Sequence, residues 1–206
     1  MDIKYLLNDN NATYSNCYGI LTEKAAIVVD PGKYAFEIAE FLNNNSDKTR
    51  LILLTHAHYD HIGGAAQLRQ QTGVKIAIGK NEEFALSDKS FNLSGRFTPP
   101  IPAFNADYTI DDEEAFTVGD VVIRAYETPG HTLGGMCYLI GNNLFSGDVL
   151  FCETVGRIDL PGGNVGDMKQ SLDRIMWLFD DDVKVYSGHG EMTTIGHERK
   201  YNPYLR

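Results

Sequence analysis

The stretch Leu51-Ile52-Leu53-Leu54-Thr55-His56-Ala57-His58-Tyr59-Asp60-His61 decides the reading of this chain. Its first four residues are all apolar. They are too few for a helix and are expected to form a short strand buried on both faces. Three histidines and one aspartate then fall within positions 56 to 61. In an extended segment the side chains at i, i+2 and i+4 share a face, so His56, His58 and Asp60 are expected to converge. His61 falls at the turn into the next helix and faces a neighbouring spot. Polar groups at the end of a buried strand need partners. Imidazole and carboxylate are ligands of zinc and similar divalent metals. Structural zinc usually uses cysteine, and the sequence has no Cys-x-x-Cys pair. The run therefore points to a catalytic metal with open coordination positions.

Three more candidate ligands lie beside turn glycines after apolar strands. They are His131 in Thr128-Pro129-Gly130-His131-Thr132, Asp148 in Ser146-Gly147-Asp148, and His189 in Ser187-Gly188-His189-Gly190. Each is weak alone. Together with the first cluster they make seven donors, enough for two metals.

The rest of the chain frames these loops. Residues 17–21 and 25–29 read as a strand pair around a turn at 22–24. Tyr34, Ile38, Phe41 and Leu42 have helical spacing, and 62–71 reads as a helix stopped by Thr72-Gly73. Residues 75–78, 109–110, 115–118 and 121–126 read as strands, 136–140 and 143–146 as a hairpin, and 183–186 as a last strand. Met168, Leu172, Ile175, Met176 and Phe179 share one helical face, with Asp167 as its expected cap. A short helix is expected near 194–201. Residues 80–107 form a long irregular segment, often a functional feature in a compact domain. Two strand-rich halves with helices at their edges suggest two sheets packed face to face with helices outside.

Composition limits the function. Lys+Arg number 18 against Asp+Glu 28, a net charge of −10. That balance disfavours a nucleic-acid or anionic-membrane surface. A small anionic substrate remains possible, because a local metal or arginine could hold it. No apolar run approaches the ~18 residues of a membrane span. The N-terminal residues lack a signal-peptide core. Cys17, Cys137 and Cys152 are too few and too odd in number for a disulfide framework. A cytoplasmic location is expected.

Taken together, Asp30-Pro31-Gly32, the His-x-His-x-Asp-His run, Thr128-Pro129-Gly130-His131-Thr132, Ser146-Gly147-Asp148 and Ser187-Gly188-His189-Gly190 resemble the metallo-β-lactamase fold hydrolases. The segments Gly156-Arg157-Ile158-Asp159-Leu160-Pro161-Gly162-Gly163 and Thr193-Thr194-Ile195-Gly196 look like the short, glyoxalase II-like branch, related to hydroxyacylglutathione hydrolase. The resemblance implies an α+β fold, the αββα sandwich, as one domain over residues 1–206. It implies that His56, His58 and His131 hold one divalent metal, that Asp60, His61 and His189 hold a second, and that Asp148 bridges them. Zinc is expected, with iron or manganese as alternatives. The implied activity is hydrolysis of a thioester such as S-lactoylglutathione by a hydroxide bridging the metals, with Asp60 also orienting that hydroxide. A mononuclear iron persulfide dioxygenase or a lactonase on the same fold is the alternative. The partner is a small acyl or thioester substrate, with no nucleic acid, no membrane and an open oligomeric state.

Several residues carry two readings. Asp30 is either the hydrogen-bond partner of a ligand histidine or a turn residue before Pro31-Gly32. Arg157 either meets an acidic substrate or pairs with Asp159 or a carbonyl. Phe151 is a candidate substrate contact, and Cys152 either approaches the cleft or is simply buried. Phe84, Phe91, Phe97 and Phe104 line a substrate wall or plug the core. His197 matches no motif and is expected to bind no metal. Full-length glyoxalase II enzymes add a C-terminal helical region that grips glutathione, and this sequence is expected to lack it.

Overall fold

The computed structural model describes residues 1–8 and 13–205. Its first sheet is built from β1 (Asp2–Leu7), β2 (Cys17–Leu21), β3 (Ala25–Val29), β4 (Thr49–Leu54), β5 (Lys75–Gly79) and β6 (Tyr108–Ile110), hydrogen-bonded in that order. The pairs β1/β2 and β2/β3 are antiparallel, and β3 to β6 run parallel. The helices α1 (Phe36–Asn44), α2 (Tyr59–Ile62) and α3 (Ala65–Thr72) occur in the connections that make those strands parallel. The second sheet contains β7 (Ala115–Val118), β8 (Val121–Glu127), β9 (Met136–Ile140), β10 (Asn143–Gly147), β13 (Lys184–Ser187) and β14 (Thr193–Thr194), in the spatial order β14-β13-β10-β9-β8-β7. A small hairpin, β11 (Leu150–Phe151) with β12 (Thr154–Val155), follows β10. The helices α4 (Val165–Leu178) and α5 (Ile195–Tyr201) complete the chain order.

Strand periodicity explains the layering. Along β3 and β4, Ala25, Ile27, Val29, Leu51 and Leu53 face the second sheet, where they meet Ile123, Met136, Tyr138 and Phe145. The alternate residues Ala26, Val28, Ile52 and Leu54 pack under α1 and α3 against Ile38, Leu42 and Leu68. Because successive side chains take opposite faces, a strand apolar at every position is covered on both sides. On the far face of the second sheet, Cys137, Leu144 and Val185 lie under Met168, Leu172 and Ile175 of α4 and Ile195 of α5. The result is the αββα sandwich.

The departures from expectation have local causes. Strand β1 carries polar Asp2 and Lys4 and lies at the sheet edge, so it has no clear apolar alternation to read. The helix expected over 62–71 is two helices, broken at Gly63-Gly64. There a Cβ on either glycine would strike the backbone of residues 32–33. Helix α4 is capped by Asn164, whose Oδ1 accepts from the N–H groups of Gly166 (2.7 Å) and Asp167 (3.1 Å). Asp167 lies inside the first turn instead, where its charge still suits the helix dipole. Among the loop aromatics, Phe104 is buried in the α1/α3 core and Phe91 packs against it. Phe97 is exposed and lies 4.7 Å from the Tyr59 ring, and Phe84 rests against Phe91. No helix among the described residues is long and apolar enough to cross a membrane.

Candidate metal centre

Parallel pairing carries the chemistry to one edge of the sandwich. Strands β3 and β4 end side by side, which brings Asp30 next to Thr55. In the other sheet β10 and β13 end side by side, and the Gly188 N–H donates to the Gly147 carbonyl at 2.8 Å. The carboxyl ends of parallel strands are where loops can converge on a ligand. The two sheets are stitched together at this edge. Met136 N–H donates to the Thr55 carbonyl at 2.8 Å, the Tyr138 hydroxyl to the Leu54 carbonyl at 2.9 Å, and the Tyr18 hydroxyl to the Ser187 carbonyl at 2.6 Å.

The seven sequence-selected donors all meet here, in three linked triads: His56-His58-His131, His56-His61-Asp148 and Asp60-His61-His189. His58 Nδ1 lies 3.1 Å from His56 Nε2 and 2.9 Å from His131 Nε2. His189 Nε2 lies 3.3 Å from Asp60 Oδ2, and His61 Nε2 lies 3.9 Å from the same oxygen. Asp148 stands between the first and third of these. Its Oδ1 is 3.3 Å from His61 Nε2, and its Oδ2 is 3.4 Å from His131 Nε2 and 3.6 Å from His189 Nε2. The expected convergence of Asp60 with His56 and His58 is corrected by the backbone. Helix α2 begins at Tyr59, so the two-residue alternation stops there and Asp60 turns toward His61 and His189.

The outer nitrogens orient the inner ones. His131 Nδ1 donates to the Arg157 carbonyl at 2.7 Å. A carbonyl only accepts, so the proton of a neutral ring sits on Nδ1 and Nε2 offers its lone pair inward. His61 Nδ1 faces Asp30 Oδ2 at 2.9 Å. Asp30 is 2 % exposed and also accepts from the Thr55 N–H (2.8 Å) and hydroxyl (2.6 Å). Its backbone is left-handed, with φ of 49°, a strained state for a non-glycine residue. Of its two sequence readings, the structure therefore has it touching a candidate ligand histidine.

The charge states suit a cation. Burial and the neighbouring His61 ring hold His56 well below the ordinary histidine range. Burial and His131 push His58 down to about 3. Burial opposes the charge of Asp148, but His61 outweighs it and keeps the carboxyl well below its usual value. At Asp60 burial is likewise outweighed, by His189 and His61, and the carboxyl is lowered. Burial also disfavours charge on His61, yet Asp148 and Asp30 raise it well above a normal histidine. Neutral imidazoles and ionised carboxylates are the forms that bind metal. The two carboxylates flanking His61, Asp30 and Asp148, concentrate negative charge where a cation would sit. His61 Nε2 and Asp148 Oδ1 are buried and make no hydrogen bond among the described residues. A hard or borderline divalent ion fits this donor set, and the overlapping groups fit two.

A cleft of about 430 Å³ opens over the donors, walled by Tyr59, Leu93, Arg96, Phe151, Leu160 and Arg157. Phe151 stands edge-on to His189, with ring centres 6.1 Å apart. The Arg157 side chain reaches this wall but forms a bidentate pair with exposed Asp159, both contacts 2.7 Å, while its backbone carbonyl orients His131. Arg96, Leu93 and Tyr59 were not singled out from the sequence. Nor was Glu82, which is buried beneath the histidine loops. Cys152, His197 and Glu198 cluster elsewhere. The Glu198 carboxylate there already accepts from the Thr193 hydroxyl (2.6 Å), the Glu153 N–H (2.8 Å) and the Asn202 amide (2.8 Å). His197 Nε2 donates to Glu153 at 3.0 Å, so this cluster pins α5 to the β11–β12 hairpin.

Residues 10–189 match the family model for the metallo-beta-lactamase superfamily. The chain is 33% identical over 187 residues to hydroxyacylglutathione hydrolase GloC of Haemophilus influenzae, covering 89% of this chain and 88% of that one. The BLEG-1 B3 metallo-beta-lactamase superposes with a TM-score of 0.88 at 34% identity, covering 99% of each chain. TTHA1623 in a di-iron-bound form superposes with a TM-score of 0.77 at 30% identity, covering 93% of this chain and 95% of that one.

Proposed function

Because this chain is a metallo-hydrolase belonging to the metallo-β-lactamase superfamily, we propose that it cleaves thioesters of the hydroxyacylglutathione kind with two divalent ions. His56, His58 and His131 hold one ion, Asp60, His61 and His189 the other, and Asp148 serves both. The observation that carries the two-ion reading is the Asp148 carboxylate, whose oxygens lie 3.3 Å from His61 and 3.4 Å from His131. The thioester reading is supported by the likeness to GloC over most of both chains.

Bound there, the ions supply Lewis acidity, which brings the pKa of water toward neutrality and polarises an acyl carbonyl. The protein does the rest. Asp30 and the Arg157 carbonyl hold the His61 and His131 rings so that both present Nε2 to the centre. Asp60 is ionised, and its carboxylate is 15% exposed, so it can accept a hydrogen bond from the attacking water and orient it. Leu93, Phe151 and Leu160 supply apolar walls that exclude bulk water and hold the acyl chain. Arg96 offers positive charge on the cleft wall to an anionic substrate, despite the net charge of −10, whereas the Arg157 guanidinium is offset by its pair with Asp159. A thiolate leaves without needing a proton, so no further acid is required beside the ions.

The likeness to BLEG-1 favours a second reading, opening of a β-lactam amide by the same centre. One experiment separates the readings. Metal-reconstituted protein is assayed against S-lactoylglutathione, other acyl thioesters, a lactone and a β-lactam, with metal analysis on the same sample. Two ions per chain and the highest kcat/KM on a thioester are expected. A β-lactam preference would establish the second reading. One iron per chain with oxygen uptake on a persulfide would overturn both.

A further inference from the structure

Glu82 follows β5 and is 2 % exposed, yet it carries an ionisable carboxyl. Its Oε1 accepts from the Ala57 N–H at 3.0 Å, and its Oε2 accepts from the Gly134 N–H at 2.9 Å. Ala57 lies between His56 and His58, and Gly134 lies in the turn just after His131. The first loop leaves the end of β4 in one sheet, and the second joins β8 to β9 in the other. One side chain thus ties together the two loops that carry the three-histidine group. The turn at Gly134 lies flat against this segment, since a Cβ there would stand 2.7 Å from the Glu82 nitrogen.

The residue type matters. Both partners are donors, so two acceptor atoms are needed at fixed spacing. A carboxylate offers two, whereas an amide offers one and turns an NH₂ toward the other N–H. Such charge-assisted bonds are stronger than neutral ones. Asp30 has the complementary reach. It contacts Thr55 and His61, and it reaches the three-histidine group only through the Thr55 hydroxyl, 3.1 Å from His56 Nδ1; among the described residues no hydrogen bond joins it to His58, His131 or the loop after them.

We propose that Glu82 is the positioning residue for the ion held by His56, His58 and His131, because it ties together the two loops that carry those ligands. Asp30 plays a different part: it holds His61 directly and reaches His56 through the Thr55 hydroxyl. This rests on the two-ion reading above. Loss of Glu82 lets the two loops drift apart and spreads the three nitrogens that now stand 2.9 and 3.1 Å apart.

The test is titration of the metal-free protein with Zn²⁺ against a competing chelator, repeated with Co²⁺ followed by its visible absorption. His58→Ala and His189→Ala supply the reference for each single site. In Glu82→Gln, affinity at the three-histidine site is expected to fall about tenfold or more, with the other site kept. Asp30→Asn should weaken both sites, because Asp30 holds His61 directly and His56 through the Thr55 hydroxyl. Glu82→Asp, one methylene shorter, can engage one N–H and is read the same way should the Gln variant not fold. Wild-type affinity at both sites in the Glu82 variants would overturn the proposal. So would equal weakening of both sites in those variants alongside a lower Tm of the metal-free protein, the mark of a purely structural role. Failure of the wild-type protein to take two ions would overturn the two-ion reading itself, a separate result.

Discussion

Asp148 shows how much one side chain can decide. Its two oxygens are the only candidate donors, among the described residues, that face both His61 and the His131/His189 pair within 3.6 Å. Removing it leaves the surrounding histidines without their central negative charge. Asp148→Ala is therefore expected to lower bound metal below two per chain and to cut kcat more than about 100-fold, beyond what loss of an outer-shell partner does. Elemental analysis and steady-state kinetics on one sample check this, and two retained ions with full activity would sink the bridging role. Not every residue at this scale was readable from its neighbours in sequence. His56, His58, Asp60 and His61 are adjacent, so their shared chemistry stands out as a run. Glu82 acts on Ala57 and Gly134, and Arg157 acts on His131 through a backbone carbonyl. A partner so distant in sequence, or a carbonyl every residue possesses, leaves no signature in residue type.

At the scale of elements, the strands were legible because their apolar runs are dense, and the breaks between them because glycine marks close approach. The Gly63-Gly64 break in the second helical region is set by contact with residues 32–33, which no local pattern contains. The cap of α4 makes the same point in energy. Asn164 satisfies two free N–H groups at the start of the helix, whereas Asp167 lies within the first turn. Asn164→Ala should destabilise the protein by about 1 kcal/mol, and Asp167→Ala by less. Urea unfolding of both variants distinguishes them, and a larger loss at Asp167 would contradict the capping geometry. The edge strand β1 carries no readable pattern, for the opposite reason. One face of an edge strand meets water, so selection for apolar residues is relaxed there.

At the scale of the molecule, metal and fold support each other. Asp30, His56, His58, His61 and Asp148 are all buried at the line where the two sheets meet. Such a concentration of ionisable groups is costly to bury without a cation. An ion that binds only the folded chain stabilises it, by about 2.7 kcal/mol at a hundredfold excess over its Kd. Chelation is therefore expected to lower Tm by about 5–10 °C, and re-addition of Zn²⁺ to restore it. Scanning calorimetry checks this, and an unchanged Tm would count against tight metal binding. The sequence by itself determined the strand and helix pattern and the seven candidate donors, because periodicity and ligand type are written locally, and its combined motifs resemble the superfamily and so implied the sandwich. Only the tertiary structure decided that Asp60 turns away from His56 and His58, that Glu82 bridges the two histidine loops and what walls the cleft. Those depend on where parallel strands end beside one another and on contacts between the two sheets, and neither is a property of any single stretch of chain.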